Sequence, residues 1–296
     1  MDGVAKSLVQ ASSAIVGLVL AGVAVFLLVQ GWPAVTAAAT DLPAAAPNIW
    51  RLALPLAFGS VWTSCLGLAI AAPIAVGVAL FITWYVPPRL SAVLGAVIDV
   101  LAAIPSVVYG LWGLMVLAPR LATVYAWLGR HLGWFPLFAG TPSASGRTIF
   151  TAAIVLAIMV MPIMAALCRE TFARTDQASI EAAVALGSTT WETIRMAVLP
   201  VGRSGIVAGA MLGLGRALGE TMATAMIISP TPFLISLALT TSSNPNTVAA
   251  FIAQNFPEAH GIQVSALIWL GLILFAITFA VNAVARRVAS GFGGKR

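Results

Sequence analysis

Apolar residues run along this chain in six long blocks, separated by short polar or proline-rich segments. The blocks are Leu8–Gly31, Ala53–Trp84, Ala92–Ala118, Thr148–Leu167, Gly202–Ile228 and Val264–Ala285. About 20 apolar residues cross a bilayer as helix, so each block is long enough to span. The runs lack the two-residue alternation of membrane barrel strands. A lipid-facing backbone must also satisfy its own hydrogen bonds, so the pattern predicts six transmembrane helices and an all-α integral membrane protein. The first block exceeds the roughly 7–15 apolar residues of a secretory leader, and its basic flank is Lys6 alone. It therefore reads as a retained helix.

Composition sharpens this. Of 296 residues, 60% are hydrophobic and only 8% charged, with mean hydropathy +1.02. Soluble domains carry about 25% charged residues, so there is too little polar surface here for a water-soluble globule. The net charge of +6 does not indicate nucleic acid, because the basic residues flank the blocks instead of forming a stripe. On a six-span topology, ten fall on the side that holds both termini and the second and fourth loops. Four fall on the other side (Arg51, Arg120, Arg130 and Arg147), and Arg216 stays inside the fifth block. The basic excess predicts that both termini are cytoplasmic. Cys65 and Cys168 stand in no metal-ligand spacing and read as packing residues.

The loops divide the chain into an N-terminal helix with its outer loop (1–52) and a core (53–296) with an inner loop at 168–201. In the third block, Pro105 removes a backbone donor and predicts a kink. Asp99 lies six residues earlier. It is either an intramembrane functional carboxylate or a group solvated at the inner interface. The outer loop after the third block carries Trp127, Trp134, Phe135 and Phe138, which suit an interfacial aromatic belt. The loop 229–263 mixes turn residues with short apolar runs and is a candidate for partial re-entry.

The inner loop reads "RETFARTDQASIEAAVALGSTTWETIRMAVLP". Asp176 is placed to cap a short helix over Gln177–Leu186, and Gly187 suits the left-handed position that ends it. Thr189 and Glu192 have the spacing of a capping box that starts a second short helix, expected to end before Pro200. Small residues beside Glu181 leave room for another protein to approach closely.

The fifth block contains "LGRALGETMATAMIIS". An Arg at a membrane helix centre costs about 2.5–3.5 kcal/mol on insertion scales, so Arg216 is expected to face protein or a cavity. Glu220 is one helical turn on and is expected to pair with it. Gly205, Gly209 and Gly213 form a stripe of close packing near the same face. The pair is either an interior salt bridge that fixes packing or a cationic donor that meets an anion in transit.

The stretch Glu181–Pro200 resembles the EAA loop of ABC importer permeases. Glu181, Ala182, Ala183, Gly187, Leu199 and Pro200 match the pattern, and Ala197 departs from it where Ile is common. The resemblance implies a type I, MetI-like permease fold whose cytoplasmic coupling helix docks on an ATPase. The chain has no G-x-x-x-x-G-K-[ST] loop of its own, so it implies no cofactor in this chain and ATP and Mg bound by the partner ATPase. "GRALGETMA" (215–223), "IPSVVYGLWGL" (104–114), "AIMVMPIM" (157–164) and "NTVAAFIAQNF" (246–256) resemble the phosphate-importer permeases of the PstC type. The sister PstA type usually continues Ala-Pro where this chain has Met222 and Ala223. The resemblance implies a non-enzymatic permease subunit in the bacterial inner membrane. Arg216 and Glu220, with Asp99 as a further candidate, would lie on a phosphate pathway. The implied partners are a PstA-type permease, a PstB-type ATPase dimer and a PstS-type phosphate-binding protein. The competing readings are a permease for sulfate or molybdate, an ion-coupled secondary transporter, and a membrane enzyme acting on lipid phosphate. The last should show carboxylates or histidines clustered at one interface, and the sequence has none.

Overall fold

A computed structural model describes residues 2–293, so Lys295 and Arg296 of the basic flank lie outside the described residues. The chain folds as α1 (Asp2–Gly31), α2 (Ile49–Trp84), α3 (Pro88–Ala103), α4 (Ser106–Trp112) and α5 (Ala118–Leu132). It continues through α6 (Ile149–Ala173), α7 (Gln177–Ala185), α8 (Thr190–Thr193), α9 (Leu199–Leu218), α10 (Met222–Ile227), α11 (Val248–Asn255) and α12 (Ile262–Gly293). Among the described residues, six helical stretches are long and apolar enough to cross a membrane. The protein is a multi-pass membrane protein. Caps fix several starts: Asn48 accepts from Arg51 N at the head of α2, and Thr148 from Thr151 N at the head of α6.

The most buried of these stretches is α6, which packs against α2, α9 and α3. Small residues on α9 permit this. Gly202 faces the Phe172 ring, Gly205 faces Thr171, Gly209 faces Met164 and Gly213 faces Val160, so a Cβ at any of them would press into α6. The other side of α9, at Ser204, Ala208, Leu212 and Gly219, is exposed. The first helix stands apart: α1 packs on α12, with Gly31 against the Trp269 backbone, and is otherwise exposed.

Two expected spans are interrupted. The third block is not one kinked helix over Ala92–Ala118. Ile104 and Pro105 are both extended (ψ 131° and 138°), which separates α3 from a rod that runs from Ser106 to Leu132. The cause is local: Pro105 offers no N–H, and a residue before proline is pushed out of the α region. The fifth block also stops early, because α9 ends at Leu218 and α10 restarts at Met222. The two broken segments meet, with Gly110 of α4 seated on Ala223 of α10.

Two rods are instead widened by one π turn, at Gly113–Leu117 and at Ile194–Val198. Each π turn lies two residues before a proline, Pro119 and Pro200. The residue just before each proline bonds five residues back, Ala118 N to Gly113 O and Leu199 N to Ile194 O. Widening absorbs the missing donor and the ring without a break. The second inner helix therefore does not end before Pro200; it continues through the π turn into α9.

The outer loop enters the bundle. Thr247 caps α11 by accepting from Ala250 N, and Val248 N donates to Ser60 Oγ. Ser60 lies 11 residues along α2, about 16 Å from its start at 1.5 Å per residue. The loop before α11 is held by Asn244, which is fully buried. Its Oδ1 accepts from Ile149 N at 2.9 Å, and its Nδ2 donates to Arg147 O and Thr241 O, both at 3.2 Å. Arg147 in turn donates to Met226 O and Ile228 O at the end of α10. Truncating one side of such a buried network costs about 1–3 kcal/mol. Asn244→Ala is therefore expected to lower the unfolding temperature of the purified protein and to open the 229–247 loop to protease.

Candidate functional site

Arg216 sits in the last turn of α9, half-buried. It lines an open groove of about 650 Å³ with Ile163 of α6, Met211, Leu212 and Gly215 of its own helix, and Asn282 of α12. Gly209 and Gly213 point into α6, whereas Gly215 has nothing within 4 Å of its missing side chain. Arg216 thus lies at the edge of the α6 contact, between the packed face of α9 and the open one. Among the described residues it makes no hydrogen bond or ion pair. Its five N–H donors are left for a ligand or water.

The expected Arg216–Glu220 pair does not form. Glu220 lies beyond the end of α9, so the four-residue spacing no longer places it on the same helix face. Its carboxylate is buried and accepts from Ala223 N at 3.1 Å, while its carbonyl accepts from Thr224 Oγ1 at 2.9 Å. It caps α10 across the break. Tyr109, which the sequence did not single out, bridges the other break by donating to Leu101 O at 3.0 Å.

Asp99 is brought to a different partner, Arg169 of α6, with Nη2 to Oδ2 at 3.9 Å. The two line a second groove, of about 640 Å³, with Thr83, Ser91, Ala166, Leu167 and Glu170 among its walls. Within this chain 63% of the Asp99 side chain is accessible. Arg169 lies 70 residues away in sequence; its only sequence sign is a cation at the end of an apolar block.

The caps and the turn of the inner loop form as its sequence directs. Asp176 accepts from Ala178 N to start α7, and Gly187 takes φ +82° behind it. Gly187 N reaches Val184 O and Ser188 N reaches Ala183 O, which closes the helix end. Thr189 and Glu192 form the reciprocal capping box. Glu181 and Ala182 are exposed and Ala183 is turned inward. Leu186 is 86% exposed and Trp191 54%, an apolar pair projecting from the loop. Leu199 is half-buried and Pro200 exposed at the head of α9. Cys168 is buried in the α6 core as expected, but Cys65 is exposed on α2 and is not a packing residue within this chain. Among the described residues no His, Cys, Asp and Glu cluster fit for a metal is found.

Residues 73–291 match the family described as "Binding-protein-dependent transport system inner membrane component". The chain is 43% identical over 283 residues to "Phosphate transport system permease protein PstC 2" of Mycobacterium tuberculosis, covering 91% of this chain and 86% of that one. It is 37% identical over 297 residues to the PstC permease of Mesorhizobium japonicum, covering 96% and 89%. It is 43% identical over 233 residues to the PstC permease of Pasteurella multocida, covering 77% and 71%. Among solved structures, a chain of the inward-facing MetNI methionine ABC transporter superposes with TM-score 0.58 at 13% identity, covering 83% of this chain and 97% of that one. A bacterial ABC importer of alginate gives TM-score 0.57 at 14% identity, covering 80% and 78%. Those two likenesses speak to the fold, a MetI-like importer permease. This chain belongs to the inner membrane components of binding-protein-dependent transport systems, alongside the PstC permeases.

Proposed function

We propose that this chain is the PstC-type permease of an ATP-driven importer of inorganic phosphate. The observation that carries the reading is Arg216, a half-buried cation with no hydrogen-bond or ion-pair partner among the described residues, in a groove at the end of a broken helix. A guanidinium offers a planar fork that matches a phosphate oxygen pair, and it keeps its charge at any physiological pH. Among the described residues no carboxylate pairs with it, so an arriving oxyanion supplies the countercharge. A pathway site must also release what it binds. Half-exposure serves this, because water reaches the guanidinium and weakens its hold. Glu220 holds the α9–α10 break open by capping α10, which keeps the last turn of α9 pointed into the groove. The anion passes without a bond being made or broken.

The remaining parts follow from the family. The open face of α9 meets a PstA-type partner permease, and a PstS-type binding protein delivers phosphate to the outer mouth. The inner loop docks on a PstB-type ATPase dimer that binds ATP and Mg. In that arrangement Glu181, Ala182 and Ala183 meet the ATPase, Gly187 turns the chain, and Leu199 and Pro200 join the loop to α9. The protein resides in the bacterial inner membrane with both termini in the cytoplasm, as the basic excess of the inner loops favours.

Arg216→Gln is expected to reduce uptake of labelled phosphate by at least 100-fold in proteoliposomes of the assembled importer, with co-purification of its subunits unchanged. Wild-type uptake by that variant would leave Arg216 as a packing residue. Excess sulfate or molybdate is expected to leave phosphate uptake intact; strong competition by either would assign the site to another oxyanion. Glu181→Lys is expected to detach the ATPase during purification and abolish uptake, and normal co-purification with normal uptake would refute the docking role.

A further inference from the structure

Arg216 is not the last cation on the open side of this subunit. Ile163, Ala166, Leu167 and Glu170 recur at three- and four-residue steps, so they share one face of α6. Ile163 lines the Arg216 groove, whereas the other three line the Asp99–Arg169 groove. One face of α6 therefore runs past both grooves. Arg169 lies six residues beyond Ile163, about 9 Å further along the helix.

The second groove has a built seat for a guanidinium. Arg169 lies across α3 at Gly95, where any Cβ would collide with it. Glu170 is engaged by Arg174, one turn on, so its charge is matched locally. Asp99 is the countercharge that faces Arg169, and the separation of 3.9 Å is longer than the roughly 2.7–2.9 Å of a charge-assisted hydrogen bond. The pair is a loose ionic contact, and the donors of Arg169 are not consumed by it. Arg169 remains 28% exposed to the groove, and Asp99 63%.

We infer that Arg169 is an inner anion-binding site, which receives the transported oxyanion after Arg216, and that Asp99 is the competitor that returns the guanidinium to rest and expels the anion. The inference rests on the proposed transport of phosphate along this face. Two cations beside the same face of α6 let a dianion step between sites without crossing apolar surface unaided. A carboxylate beside the second site limits how long the anion stays. Asp99 then acts as a positioning residue for Arg169 and not as a ligand of the anion.

The test compares Arg169→Gln, Arg169→Lys and Asp99→Asn in proteoliposomes of the assembled importer, read as initial uptake of labelled phosphate. Arg169→Gln is expected to lower maximal uptake at least tenfold while the half-saturating phosphate concentration, set at outer capture, stays within twofold. Arg169→Lys is expected to recover at least half of the wild-type rate, since a point cation still receives the anion. Asp99→Asn is expected to cost only about threefold, because the cation remains and only release is slowed. A simple brace between α3 and α6 would lose as much from Asp99→Asn as from Arg169→Gln. Equal losses, or an Arg169→Gln variant no worse than Asp99→Asn, would overturn the inference. Co-purification of the other subunits with each variant checks that it folds, and Asp99→Asn still decides if Arg169→Gln does not assemble: a tenfold loss there would overturn the inference. Failure of the phosphate reading looks different, because wild-type vesicles would then take up labelled sulfate and not phosphate. The same three variants would be compared on sulfate.

Discussion

The close seating of α9 on α6 is the contact on which the rest of the structure depends. Four glycines on α9 remove the side chains that would otherwise hold the helices apart. In a membrane, apolar side chains gain little by leaving lipid, so association relies on packing and on close backbone approach. Once α9 is seated, Arg216 comes to lie at the border of the contact. It is not buried in it, where a charge would need a fixed partner, nor fully in lipid, where it would be expensive. The same contact carries the inner loop, because Phe172 at the end of α6 meets Gly202 at the head of α9. Ile194 and Val198 of the π turn join that cluster.

The second constraint is the accounting of backbone hydrogen bonds at the two helix breaks. Each break frees carbonyl and amide groups inside a bundle that supplies little water. Tyr109 meets Leu101 O at one break, and Glu220 meets Ala223 N at the other. Arg147 takes the carbonyls at the end of α10, and Asn244 ties the outer loop to the head of α6. These groups do work that an unbroken helix would do for itself. In exchange the chain obtains two ends, α4 and α10, that meet through Gly110 and Ala223.

Much of this was legible in the sequence where the signal is local. The number of apolar spans is six as expected, and the Asp176 cap, the Gly187 turn and the Thr189–Glu192 box, which depend on neighbours within a few residues, form as expected. The charge pairing was not legible. Spacing alone put Glu220 on the Arg216 face, but that inference assumes a continuous helix, and the break at Gly219 removes the assumption. What stabilises the break is remote: α10 packs on α4 through Gly110 and Ala223, more than 100 residues apart. The partner of Asp99 was hidden for the same reason. Gly95, one turn before Asp99, leaves the space that Arg169 fills, and nothing near Asp99 in sequence names that residue. The third span was misplaced because hydropathy runs smoothly through Ile104 and Pro105 while the backbone does not.

The π turn at Ile194–Val198 has a mechanical meaning of its own. It stores one residue more than an α-helix of the same length, directly between the loop that carries α7 and the helix that carries Arg216. A helix with such a spare residue behaves as a screw thread with slack. Taking up the slack turns everything beyond it by about 100° and advances it by about 1.5 Å. That rotation is more than a quarter turn of α9. A push delivered at the loop would then arrive at Arg216 as a turn and not as a translation.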